Sequence, residues 1–442
     1  MAKYIINGGQ KLSGEVSIRG AKNASFKQII ASMLSSEPSW LSNIPQISDV
    51  KITQSIARHT GSQIQKIGQH SLKIQTSKII NSTIPSGTGR QSRTSFMFIA
   101  PLLLRTGHIT FPTPGGDKLG KRPLDRLYTC LAKMNIQIEH KKDSTNLHSQ
   151  HVTATEYTFP KPSHTVTEVL LMLASMAEGQ SIFHNSAIEP EIDDLIELLN
   201  QMGAKIHRQN TDPSTIVVQG VSQLHGTEHQ VIADRNEAVT FACATLATKG
   251  SINILRIEPQ HIQTFLDTIQ NMGATVNRGR DEVEIIWTKT LRSVKVETEP
   301  QPGFMTDWQA IFSVLLTQAT GASSIIEKIF PQRFQHIKIL NQMGAKTKFF
   351  NPQIENTTNY YHFNPESDHP SFFHGVKIYG PTKLKPINLD IKDLRAGATA
   401  TVAALTANGQ SIINNVEYIK RGYENLAPRL RSLGADIRYL KN

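Results

Sequence analysis

One stretch of the chain combines the residue types of acid catalysis with those of anion binding. Residues 112–123 read PTPGGDKLGKRP, in which Asp117 could carry a proton while Lys118, Lys121 and Arg122 could neutralise an anion. Gly115, Gly116 and Gly120 give the segment backbone freedom. Two readings stand: a solvated surface loop, or a lid that brings an acid and an arginine over a bound anion. Other cations stand where helices should begin, at Lys22, Arg93 and Arg395. Ser, Thr and Asp at such positions are explained by capping alone. A cation there opposes the helix dipole and calls for an anion nearby. Asp307, Arg333 and Arg421 add a carboxylate and two more guanidinium groups in the C-terminal half. The chemistry these residues suit is proton transfer beside a phosphate or carboxylate.

The elements that must position them come from an internal repeat. The segments QMGAKI (201–206), NMGATV (271–276), QMGAKT (342–347) and SLGADI (432–437) end four copies of one unit, and two divergent copies start near Ser36 and Thr106. Each copy opens on a turn, continues through a short β-branched run, and then carries apolar residues at helical spacing. In the copy from Gly179 the face is Ile192, Leu195, Ile196, Leu199 and Met202, with Gly203 as the C-terminal cap. A second helix, apolar nearly all round and therefore buried, precedes each turn: residues 25–34, 94–104, 167–177, 237–248, 307–317 and 396–407. The interval is 71 residues from Gly179 to Gly250 and again from Gly250 to Gly321. The second copy is longer, with 28 positions from Gly107 to Asn135 against 24 from Gly179 to Gly203, and its excess is the segment 112–123.

Six units suggest an α/β protein of two lobes with three units each. The first lobe is expected over 22–230 with the loop 112–123, and the second over 1–21 and 231–442. The N-terminal run 3–18 is read as one strand of that second lobe.

The 442 residues carry 47 Lys and Arg against 36 Asp and Glu, a net charge of +11, which favours anionic partners. No basic tract, RNP-like motif or zinc-finger spacing supports nucleic acid as that partner. No apolar run reaches the roughly 18 residues of a membrane span, and a soluble cytoplasmic protein without membrane partner is expected. The two cysteines, Cys130 and Cys243, lie inside apolar helical patterns and read as packing residues.

In order along the chain, GAKNAS (20–25), PGGDKLGKRPLD (114–125), PGFMTDWQA (302–310), DLRAGATATVAAL (393–405) and RGYENL (421–426) resemble the motifs of the UDP-N-acetylglucosamine 1-carboxyvinyltransferase family. The resemblance implies a two-lobed inside-out α/β barrel, phosphoenolpyruvate and UDP-N-acetylglucosamine as substrates, and neither cofactor nor metal. It implies that Lys22 and Asn23 meet phosphoenolpyruvate, with Arg122 and Arg421 sharing its charge. Arg93, Arg122, Pro123, Leu124, Asp125, Arg126, Lys161, Ser163, His164, Asp307 and Ile329 would line the UDP-sugar pocket, and Arg333 and Arg395 would reach the substrates from the second lobe. Lys22, Asp117, Asp307 and Arg421 would be catalytic, Asp307 as the base at the sugar 3'-hydroxyl. Asp117 stands where most members carry a cysteine acid and a minority an aspartate, so insensitivity to the epoxide fosfomycin is expected. Departures fall at Arg126 and Leu127, at His164 and Thr165, and in SGTGRQSRTS, where Arg90 competes with Arg93. The alternative is a paralogue acting on another nucleotide or on shikimate 3-phosphate, although the relatives that use the latter begin with a PGDKS-like segment where this chain has RGAKNAS.

Overall fold

The computed structural model describes residues 2–113 and 124–441. Its contacts divide the chain into two compact units, one of residues 20–113 and 124–232, the other of residues 2–19 and 233–441. The chain passes between them at Arg19/Gly20 and at Ile232/Ala233.

In the unit that starts at Gly20, α1 (Lys22–Ala31), α3 (Ile99–Thr106) and α5 (His164–Ala174) supply most of the helical core. They alternate along the chain with α2 (Ser48–Thr60), α4 (Asp125–Lys133) and α6 (Pro190–Gln201), which bury one face only. On α6 that face is Ile192, Leu195, Leu198, Leu199 and Met202; Ile196, expected there, is only half-buried, and Leu198 takes its place. The expected helix over 94–104 begins instead as a 3-10 segment, Arg93–Phe98, and becomes α-helical at Ile99. Pro101 lies in the first turn of α3, where its missing N–H costs nothing. Asn135, the counterpart of the helix-ending glycines, has φ 61°, the conformation that Gly203 takes at φ 100°.

The other unit repeats the alternation with α7 (Arg235–Ala247), α8 (Gln263–Met272), α9 (Gln309–Leu316), α10 (Ile337–Gln342), α11 (Leu394–Thr406) and α12 (Leu426–Ser432). On α7 every residue but Asn236 is buried, as its unbroken run of small and apolar side chains requires. Three sheets accompany each unit among the described residues, five of four strands and one of three.

The run 3–18 is two strands rather than one: β1 (Ala2–Gly8) and β2 (Ser13–Ser17) join different sheets. The break has a steric cause. A Cβ on Gly8 would lie 2.0 Å from the Ala404 carbonyl oxygen and 2.2 Å from that of Ala407, and Gly9 has φ 90°. The chain therefore turns hard against the end of α11. β1 then lies antiparallel between the C-terminal strands Gly409–Asn414 and Asp436–Lys441.

The sheet that carries much of the candidate site contains β3 (Lys295–Glu297), β4 (Gly321–Ile326), β5 (Lys346–Phe350) and β6 (Gly375–Gly380), in the order β3-β4-β6-β5. β5 and β6 are an antiparallel pair joined by 24 residues, 351–374. The corresponding hairpins elsewhere turn in two or three residues, as between Arg278 and Glu282 or Gln209 and Asp212. The long second copy is thus not the only departure from the repeat.

Candidate active site

Lys22 opens α1, and the anion its position calls for is supplied from within the fold: its ammonium lies 2.8 Å from Oδ2 of Asp49 in the first turn of α2. Asn23 follows it, half-buried. Arg93 starts the 3-10 segment with its guanidinium 5.4 Å from the Phe96 ring centre, and burial lowers its pKa. Leu124 precedes α4 and is nearly buried, while Asp125 opens the helix exposed. Arg126 is held on both sides, its Nη1 donating to the Lys161 carbonyl at 3.4 Å and its own carbonyl accepting from the Tyr157 hydroxyl at 3.4 Å. Asp117, Arg122 and Pro123 lie outside the described residues.

Ser163 is the N-cap residue of α5 but makes no side-chain cap bond, and His164 is the first helical residue. His164 meets a buried charge cluster. Its Nε2 is 3.8 Å from Glu168 and 3.8 Å from Glu191, and Glu168 also pairs with Lys27 at 2.8 Å. Glu168 is fully buried, and Lys27 is only 3% exposed. Burial alone would lower the imidazole pKa, but Glu168, with Glu191 and Glu189 behind it, raises it above the ordinary histidine value against the opposition of Lys27. Burial pushes the Glu168 carboxyl up as well, against His164 and Lys27.

In the other unit, Asp307 precedes α9 and receives two guanidinium groups on one oxygen. Arg333 Nη2 donates to Oδ1 at 2.6 Å, and Arg395 donates to the same atom from Nη2 at 2.5 Å and Nε at 3.1 Å. Burial would raise this carboxyl, but Arg395 and Arg333 outweigh it and hold it well below the usual carboxylate range. Burial also lowers Arg333, to about 10, with Arg395 adding repulsion and Asp307 opposing both. The sequence marked these three residues separately; the fold makes them one cluster.

Ile329 joins it through a residue the sequence reading missed. Glu327, 1% exposed, accepts the N–H groups of Ile329 at 2.9 Å and Phe330 at 3.0 Å on Oε1. Its Oε2 accepts Thr306 Oγ1 at 2.9 Å and Gln309 Nε2 at 2.7 Å. It thus fastens the turn of Ile329 to both sides of Asp307. Arg421 ends a 3-10 segment, Val416–Arg421, half-buried. Asp234 and Asp393 are helix caps, accepting from Asn236 N and Glu237 N and from Ala396 N respectively. Both cysteines are fully buried, and burial pushes the Cys130 thiol up to about 12. Among the described residues no group of His, Cys, Asp or Glu could hold a metal ion, and no helix is long and apolar enough to cross a membrane.

The enolpyruvyl transferase NikO of Streptomyces tendae matches the whole chain and 99% of its own with TM-score 0.85 at 22% identity. EPSP synthase of Acinetobacter baumannii matches over the whole of both chains with TM-score 0.73 at 17%. The fold is that of the α/β enolpyruvyl transferases. A family model described as EPSP synthase (3-phosphoshikimate 1-carboxyvinyltransferase) matches residues 6–430. UDP-N-acetylglucosamine 1-carboxyvinyltransferase of Campylobacter hominis is 36% identical over 98% of both chains, and that of Koribacter versatilis 35% identical over 99% of this chain and 96% of its own. The chain belongs to the UDP-N-acetylglucosamine 1-carboxyvinyltransferase branch of this family.

Proposed function

We propose that the protein transfers the enolpyruvyl group of phosphoenolpyruvate to the 3'-hydroxyl of UDP-N-acetylglucosamine, releasing phosphate, as the first committed step of cytoplasmic peptidoglycan synthesis. The observation that carries this reading is similarity along nearly the whole chain, at 35–36% identity, to enzymes named for this reaction. In the reaction the methylene carbon of phosphoenolpyruvate takes a proton, and the neighbouring carbon becomes oxocarbenium-like and is attacked by the sugar oxygen. The hydroxyl proton passes to a base. The tetrahedral adduct then loses a methyl proton and phosphate, restoring the alkene. Asp117 is assigned the acid and Asp307 the base, while Lys22, Arg122 and Arg421 take the phosphate and carboxylate charge. The two guanidinium groups on Asp307 Oδ1 support this assignment: they fix the carboxylate and leave Oδ2 outside their bonds.

For the nucleotide, Arg93, Leu124, Asp125, Arg126, Lys161, Ser163, His164 and Ile329 are assigned the pocket, together with Arg122 and Pro123. The six sheets among the described residues and the alternation of buried and outer helices support the reading as two inside-out lobes of three units. Incubating the protein with phosphoenolpyruvate and a panel of UDP-sugars, and following phosphate, tests the function. Release with UDP-N-acetylglucosamine alone is the expected result; release only with another acceptor refutes the substrate.

A further inference from the structure

The 24 residues between β5 and β6 have no part in the reading above, and the sheet does not require them, since its sister hairpins close in two or three residues. Two of their backbone bonds meet one short turn. The His362 N–H donates to the Lys328 carbonyl at 2.7 Å, and the Glu327 N–H donates to the His374 carbonyl at 2.8 Å, so the middle and the last residue of the insertion hold the backbone leaving β4. Side chains close the same arrangement. His362 Nε2 lies 2.7 Å from Glu299 Oε2, and the Tyr360 hydroxyl donates to Glu297 Oε2 at 2.9 Å. The Lys328 ammonium bonds to Glu299, lies 3.7 Å from Glu297, and sits 4.3 Å from the centre of the Tyr360 ring. Tyr361, 6% exposed, stacks on Phe363 with ring centres 4.8 Å apart, giving the insertion an apolar anchor of its own.

Glu327 and Lys328 are two and one residues before Ile329, and the Glu327 carboxylate ties the N–H groups of Ile329 and Phe330 to Thr306 and Gln309, on either side of Asp307. A buried carboxylate with four donors cannot shift without leaving some of them unsatisfied. Fixing the backbone at Glu327 therefore fixes Ile329 relative to Asp307. We propose that residues 351–374 are a positioning brace for nucleotide-sugar recognition, acting through Lys328 and Glu327 on Ile329 and Asp307. His362, Tyr360 and Glu327 are positioning residues in this scheme. The inference rests on the proposed function for the identity of the ligand.

The test uses the full-length protein with the double variant Tyr360→Phe/His362→Ala, and a second variant in which residues 351–374 are replaced by Asn-Gly. The brace requires KM for UDP-N-acetylglucosamine to rise about 10-fold or more, the scale of a misplaced binding group, with KM for phosphoenolpyruvate unchanged. His362→Gln, which keeps a donor for Glu299, should restore most of the loss. Hydrogen exchange at the amides of Ile329 and Phe330 should quicken in the double variant, a readout independent of substrate. An unchanged KM for the UDP-sugar in a folded, active double variant overturns the brace. So does a rise in both KM values together with a fall in melting temperature, which marks a merely structural insertion. Wild-type protein in the same assay separates the two readings: if it is inert toward UDP-N-acetylglucosamine, the proposed function fails first and this inference with it.

Discussion

Asp307 carries the most demanding assignment at the residue scale. Removing a base in contact with the reacting group costs about 100-fold to 10,000-fold, so Asp307→Ala should fold and lose turnover by that order, read as kcat in the phosphate assay. Near-wild-type turnover would remove the base from Asp307. Its titration has a defined sign. A carboxyl held below its ordinary value of about 3.9 contributes stability that is present at neutral pH, persists through mild acid, and is lost only as pH falls through the depressed value. A fall of kcat as pH rises out of mild acid therefore belongs to another group, one that must carry a proton, and Asp117, the assigned acid, is the candidate. Its carboxylate is a much weaker nucleophile toward an epoxide than a thiolate is, and the two cysteines are fully buried. Fosfomycin should leave the protein unmodified, while Asp117→Cys should gain time-dependent inactivation and keep activity. An inhibitor adduct on the wild-type protein, seen by intact mass, would contradict this. The roles of Lys22, Asp307, Arg333 and Arg395 could be suspected from type and position, but not their partners. Asp49 lies 27 positions from Lys22, and the fold brings Glu327 beside Thr306 across 21. Nothing local marks either pair.

Element-scale expectations succeed where one local rule decides and fail where tertiary contact does. All-apolar helices had to be buried, and α7 and α9 are. The run 3–18 alternates well enough to be read as one strand, because periodicity carries no information about the carbonyl groups of Ala404 and Ala407 that meet Gly8. That contact makes a test. Gly8→Ala would force a methyl group onto backbone that has no side-chain rotamer to yield, and overpacking of this kind costs about 1–3 kcal/mol. Urea unfolding should show the midpoint lowered with unchanged slope; a midpoint equal to wild type would mean that the approach is looser than the geometry requires. The insertion 351–374 did leave a trace in the sequence. The interval from Gly321 to Gly409 is 88 residues where the two before it are 71. Comparing only the turn-to-helix part of each copy hid it, since the extra residues fall after the helix.

For the whole molecule, the order of the chain dictates how each core can be assembled. The core that contains α1, α3 and α5 draws its buried residues from Ala21 to Val231 only. The other combines Ala2 to Ile18 with Ala238 to Ile437, and its β1 lies between the last two strands of the chain. The first unit thus draws its core from one continuous stretch, whereas the second cannot complete its sheet until both ends of the chain are present. We therefore expect residues 20–232, expressed alone, to fold to a cooperatively melting domain with protected amides in α1 and α5. Residues 233–442 alone should remain unstable, because removing β1 leaves strands Gly409–Asn414 and Asp436–Lys441 without the partner between them. Adding a peptide of residues 1–19 should rescue the second fragment, since β1 and β2 would then supply one strand to each of two sheets. Circular dichroism melts and hydrogen exchange of the two fragments decide the matter. A cooperative melt of 233–442 without the peptide would show that the N-terminal strands are dispensable to that core.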